Sequence, residues 1–223
     1  MAITLFLTRT PLKPFVHNSV SKQGEPITQS GRFGELVVIN GPKVKDARMI
    51  PSNATVSAAA GAKTIPVTNG TIQFTASGGA ITATKRFTTI ERFLEDASRN
   101  PKIKTPHDPS KGFVEIAPNK AKMHPKGVPY WVTYEARNSK VVELPGADGQ
   151  CFRVHGGTRT GENGILIHEA PHVGWVVGCI SPRPLNNFTL EFPMGRNPSR
   201  LAIEELIGFI GKTGKSDFFV LDW

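Results

Sequence analysis

The chain has 223 residues, 39% of them hydrophobic and 20% charged, enough to bury a core without a disulfide framework or a structural metal. Two cysteines exclude a disulfide-dense scaffold, and 22 glycines with 18 prolines argue against a helical bundle and for a turn-rich β fold. A formal charge of +9 fits a polyanionic partner or a solvated basic surface, but no arginine-rich run or aromatic-spaced basic motif marks a nucleic-acid module.

The N-terminal stretch MAITLFLTRTPLKPF has no charged segment ahead of its apolar residues. Its apolar run is too short for a signal peptide or a membrane span, so the expectation is cytoplasmic synthesis without a signal peptide and no membrane span. Ile3 to Leu7 reads as a first strand closed by Pro11 and Pro14, and Phe33 to Ile39 as a second, ended by Asn40-Gly41-Pro42. Ser52 to Ala62 is small and polar, an exposed loop. Alternation then places Ile65, Val67, Ile72 and Phe74 around an Asn69-Gly70 hairpin turn, and Ala80 to Thr84 adds a further strand. At Thr88-Thr-Ile-Glu91 the period changes. A capping box precedes an apolar stripe of Ile90, Phe93, Leu94 and Ala97, which predicts a helix ending near Asn100-Pro101.

Residues 101–127 are rich in lysine and proline and read as a basic connector with short apolar pieces such as Phe113 to Ile116. Val128 to Tyr134 and Lys140 to Leu144 read as strands. Near the C-terminus, Asn197-Pro198 and Ser199 start a helix whose buried face is Leu201, Ile203, Leu206, Ile207 and Ile210. Asp217 to Asp222 forms a last strand. The fold class expected is β-rich α+β, with two main helices and long loops, in a single domain over 1–223 with 45–127 as an elaboration or insertion.

The reactive groups concentrate in one stretch, Cys151 to Pro184, which holds both cysteines and three of the six histidines. The apolar run Ile165-Leu166-Ile167 ends in His168, and Gly178-Cys179-Ile180 follows after a loop. A strand that delivers an imidazole to its end, with a thiol returning after ten intervening residues, has the parts of a thiolate–imidazolium pair. Gly178 permits close backbone approach, and the amides around it would donate to an oxyanion. Such a pair suits acyl transfer through a thioester.

Ile167-His168-Glu169-Ala170-Pro171, followed by Gly178-Cys179-Ile180-Ser181-Pro182, resembles the active-site segment of L,D-transpeptidases of the YkuD type. The family's Ser-His before Gly-Cys is Val176-Val177 here and the loop is short, a form similar to divergent relatives in phage genomes and among type VI-secreted cell-wall toxins. The resemblance covers about Gly164 to Pro184. It implies a mixed β-sandwich or barrel, with Cys179 as nucleophile, His168 as general base, and the backbone carbonyl of Glu169 orienting the imidazole. It also implies Arg183 as a substrate-carboxylate binder, with His155, His172, Trp175 and Gly178 lining the substrate site.

No cofactor and no metal are expected on this reading. The partners it implies are peptidoglycan stem peptides, an immunity protein or a secretion-apparatus component, with action in the periplasm after non-classical delivery. Two alternatives stay open. One is a non-catalytic phage or secretion-apparatus module with a transpeptidase-like fold. The other is a zinc-binding protein using His168, His172 and Cys179. For His155 and Trp175 a strand-end polar residue and a core aromatic are equally good readings, and for Cys151 a buried apolar thiol.

Overall fold

Three runs, Leu5–Leu7, Leu36–Ile39 and Phe218–Leu221, are apolar without alternation and buried throughout. Strands read this way when both of their faces are covered. The computed structural model, which describes residues 1–20, 26–54, 60–92, 130–136, 149–156, 165–173, 176, 179–193 and 197–221, shows what covers them.

Its elements in chain order are β1 (Ala2–Val20), β2 (Pro26–Gly41), β3 (Val44–Pro51), β4 (Lys63–Val67), β5 (Gly70–Ala76) and β6 (Ala83–Arg92). They continue with β7 (Tyr130–Ala136), β8 (Gln150–His155), β9 (Leu166–His168), β10 (Ile180–Pro184), α1 (Pro198–Ile210) and β11 (Lys215–Leu221). Eight strands close a barrel in the order β1-β11-β7-β8-β9-β10-β6-β2, and β3-β5-β4 form a separate sheet. The barrel is mixed: β1 runs parallel to β11 and β9 parallel to β10, while its other pairs are antiparallel.

Alternation along the strands divides the apolar residues between two cores. Leu5, Leu7, Leu36, Val38, Phe87, Val132, Phe152, Ile167, Ile180, Phe218 and Val220 fill one, and α1 adds Ala202, Ile203, Leu206 and Ile207 to it. The intervening residues Phe6, Val37, Ile39, Phe219 and Leu221 pack against Met49, Ile65, Val67, Ile72 and Phe74 of the three-stranded sheet. The Phe6 ring lies 5.5 Å from Phe74 and 5.6 Å from Phe219. A buried carboxylate joins the same two layers. Glu35 Oε2 accepts from the Thr68 amide at 3.0 Å and hydroxyl at 2.7 Å, and Oε1 from Arg86 Nε at 2.5 Å.

The β-rich class, the first two strands, the hairpin, the C-terminal helix and the last strand agree with the sequence reading, except that Leu201, expected on the buried face of the helix, is exposed and Ala202 is buried. The helix expected from Thr88 does not form over the described residues: Ala83–Arg92 is a strand, and α1 is the one helix among them. The reason is tertiary. β6 pairs with β2 along its whole length and with β10 from Phe87 to Glu91. A ladder on both sides outweighs a capping motif worth about 1 kcal/mol, and Thr88, Thr89 and Ile90 are β-branched. Phe93, Leu94 and Ala97 lie outside the described residues, as do 101–127 and Lys140 to Leu144. Within 45–127 the described residues form the separate sheet, which spans Val44 to Ala76, and β6 of the barrel.

Pro11 and Pro14 do not close β1, which runs on to Val20 with a register shift between Thr8 and Lys13. Beyond Thr8 its ladder is with β2 alone, so a proline there costs no bond on a second side. No helix among the described residues is long and apolar enough to cross a membrane.

At the hairpin the loop is Thr68-Asn69, and Gly70 is already the first residue of β5, opposite Val67 and Pro51. Gly70 is needed for space: a Cβ there would lie 2.1 Å from the Ile50 carbonyl oxygen. Gly70→Ala is therefore expected to destabilise the protein by about 1–3 kcal/mol, measured as a lowered urea midpoint with an unchanged slope.

Candidate active site

The site is built on β9, three residues long, held between β8 and β10. Phe152 pairs with Ile167 and Ile167 with Ile180, and all three side chains belong to the barrel core. Strand alternation turns their neighbours the other way, so Cys151, His168 and Cys179 share the opposite side. His168 is buried and Cys179 partly exposed. By register Cys179 stands across from Leu166, one diagonal step from His168. Such diagonal neighbours lie about 7–8 Å apart at the backbone, within reach for an aromatic-sized ring.

The imidazole is oriented by the backbone. His168 Nδ1 lies 2.5 Å from the carbonyl oxygen of Glu169. A carbonyl only accepts, so Nδ1 carries the proton and the neutral ring keeps its lone pair on Nε2. This is the contact that the resemblance to L,D-transpeptidases implies for Glu169.

The Glu169 side chain has a different task. Its Oε1 accepts from Asn197 Nδ2 at 2.7 Å, while Asn197 Oδ1 accepts from the Arg200 amide at 3.0 Å and caps α1. One residue on, the Ala170 amide donates to Ser199 Oγ at 3.0 Å, and Ser199 Oγ lies 2.8 Å from Ser181 Oγ. The first turn of α1 thus ties the chain just after His168 to the strand that follows Cys179. In the sequence Asn197 and Ser199 read only as a helix start and Ser181 only as part of the Gly178–Pro182 motif, because a second use of a capping amide leaves no pattern along the chain.

Arg183 completes this network from within, where the resemblance would have it reach substrate. It is fully buried, with Nε donating to the Thr189 carbonyl at 3.0 Å and Nη1 to Ser181 Oγ at 3.2 Å. Nη2 reaches the Ala170 carbonyl at 3.4 Å, and the guanidinium lies over the Phe192 ring at 5.0 Å. Burial pushes its pKa down to about 9, so the group is still a cation at neutral pH. A planar five-donor group reaches three separate acceptors at once, which a lysine cannot span. In this position Arg183 braces the loop on which Ala170 sits.

The remaining residues separate from the pair. His155 lies four residues along β8 from Cys151, about 13 Å at strand rise. Its ring stacks on Trp131 at 5.5 Å, with Nε2 2.7 Å from Thr133 Oγ1. Burial, and then Arg153, lower its pKa, so it favours the neutral form. His172 turns to Glu191 and His17: its Nε2 is 2.5 Å from Glu191 Oε1. His168, His172 and Cys179 do not converge as a ligand set, and the metal-capable group among the described residues is His17, His172 and Glu191. Trp175, Val177 and Gly178 lie outside the described residues.

Val176, where the family has serine, is fully buried with Phe15, Phe33, Ile90, Ala170 and Val173, and Cys179 packs against this cluster. Neither cysteine is in a disulfide. Cys151 is directly across from His168, fully buried, with Sγ 3.5 Å from the Glu135 carbonyl oxygen. Strand β9 separates the two thiols, which sets their backbones roughly 10 Å apart and beyond disulfide reach.

Aspartate caps a helix as well as asparagine does, so Asn197→Asp isolates the Glu169 contact. It is expected to destabilise the protein by about 1–3 kcal/mol at pH 7, because two carboxylates then face each other. Urea unfolding should show the loss shrinking as pH falls and one of them takes a proton. No family model, curated protein or solved structure matches this chain.

Proposed function

We propose that this protein is a cysteine-dependent acyl-transfer enzyme of the L,D-transpeptidase type, acting on peptidoglycan stem peptides by exchange or by L,D-carboxypeptidase hydrolysis. The observation that carries the reading is the His168 Nδ1 contact with the Glu169 carbonyl, together with a partly exposed Cys179 immediately before the adjacent parallel strand. The tautomer this contact selects presents Nε2 as the base. The net charge of +9 suits an acidic cell wall.

The chemistry follows from those two groups. Nε2 of His168 takes the Cys179 thiol proton, and the thiolate attacks a stem-peptide amide carbon. Charge that develops on the amide oxygen is stabilised by backbone N–H donors. The tetrahedral intermediate then collapses to a thioester, and the leaving amine takes the proton from His168. An acceptor amine or water next attacks the thioester, His168 removes its proton, and the thiolate is restored. Asn197, Ser199 and Arg183 act through position, by holding the Glu169 carbonyl and the Ala170 loop.

A YkuD-like barrel fold, delivery by a phage or type VI apparatus, action in the periplasm and a cognate immunity protein belong to the same proposal. A second reading, a non-catalytic module of similar fold, is favoured by Val176, an apolar core residue where the family carries a polar one.

One assay separates the two. Purified muropeptides with tetrapeptide stems are expected to lose or exchange the terminal D-residue with the wild-type chain. Cys179→Ala and His168→Ala should lower the rate by at least about 10²-fold, and Cys151→Ala should leave it within a few-fold. Unchanged tetrapeptides with the folded wild-type protein would sink the enzyme reading. In the native state, iodoacetamide is expected to modify Cys179 at least about tenfold faster than buried Cys151, followed by peptide mass spectrometry.

A further inference from the structure

Outside the proposed acyl-transfer site, three residues far apart in sequence bring their ligand atoms together. His17 lies on the outer part of β1, His172 in the connection between β9 and β10, and Glu191 after β10. Nε2 of His17 is 2.7 Å from Glu191 Oε1, and Nε2 of His172 is 2.5 Å from the same oxygen. All three ligand atoms lie within 4.8 Å of one another. The two rings are edge to face, 5.5 Å apart at 74°, and each aims the same nitrogen at the shared carboxylate.

The backbone holds this arrangement. His172 and Glu191 form an antiparallel bridge, flanked by Val173 N–H to the Leu190 carbonyl at 3.1 Å and Phe192 N–H to the Pro171 carbonyl at 2.7 Å. Beneath it Val173 and Leu190 pack with Phe15, two residues before His17. The third ligand is therefore anchored through the same apolar cluster as the other two.

We propose that His17, His172 and Glu191 form a binding site for a divalent transition metal of the zinc class. Two imidazole nitrogens and one carboxylate are a donor set that zinc takes with a fourth, open position. Ligands at about 2.0–2.1 Å in a tetrahedral arrangement sit roughly 3.3 Å from one another. Both histidine nitrogens are within about 1 Å of that spacing from Glu191 Oε1. Side-chain exposures of 18%, 30% and 49% leave the ion a path in and a face for water.

The ion's effect follows from where the ligands come from. It would pin the outer part of β1 to the segment that separates His168 from Cys179, and so clip the loop over the cluster on which Cys179 packs. The inference stands on this geometry and does not depend on the acyl-transfer reading.

The test uses the full chain, stripped with EDTA and titrated with ZnCl2 by isothermal calorimetry, with Co2+ as a spectroscopic probe. The expected result is one ion per chain, a raised melting temperature with zinc, and visible Co2+ absorption of a low-coordinate site. His17→Ala and Glu191→Gln should each weaken binding by more than the roughly 10–100-fold that loss of an outer-shell partner costs. His168→Ala and Cys179→Ser should leave it unchanged. Circular dichroism of the two ligand variants without metal shows whether they are folded. The proposal is overturned if the folded wild-type chain takes up no zinc. It is equally overturned if Cys179→Ser abolishes binding while His17→Ala and Glu191→Gln retain it.

Discussion

Strand β9 is three residues long, and the register that seats Ile167 between Phe152 and Ile180 determines which way His168 faces. Side chains on a strand alternate, so a slip of one position would drive the imidazole into the barrel core and turn Ile167 out of it. Burying a histidine among Leu5, Val38 and Phe218 without a hydrogen-bond partner would cost several kcal/mol. The core thus sets the direction of the catalytic candidates. The parallel pairing with β10 does the same for Cys179, the residue before Ile180.

So short a strand needs support beyond its ladder. The support comes from α1, whose first turn supplies Asn197 to Glu169 and Ser199 to the Ala170 amide. Further along, Ala202, Ile203, Leu206 and Ile207 enter the barrel core, so the helix cannot shift without disturbing both. Arg183 carries the network to the next loop from a fully buried position. These polar groups are buried and mutually satisfied, the condition under which a polar network rigidifies a site instead of weakening it. His172 and Glu191 mark the outer edge of the same loop system, next to His17 from β1.

Two local signals pointed away from the structure for instructive reasons. The stretch Thr88 to Glu91 has the residues of a helix cap, yet its backbone groups are claimed by β2 and β10 on either side. Short-range capping is worth about 1 kcal/mol, and a central strand that must close a barrel has far more at stake. Asn69-Gly70 did mark a hairpin, but Gly70 is required by the Ile50 carbonyl on a third strand, a contact absent from any window of the hairpin itself. Arg183 was legible as a functional cation near Cys179. Only packing turned it inward, because its acceptors at Ala170 and Thr189 come from different loops.

By itself the sequence determined what local periodicity and composition can encode. That includes a β-rich chain, strands over Leu5–Leu7 and Phe218–Leu221, a C-terminal helix started at Asn197, and a histidine at a strand end with a cysteine eleven residues on. The tertiary structure decided which of the reactive groups meet. It set β9 between the two cysteines, separated His155 from the pair, and drew His172 away from His168 toward His17 and Glu191. The reason is physical: periodicity reports which face of an element is buried, whereas contacts between residues 17, 172 and 191, or 169 and 197, depend on how the barrel closes.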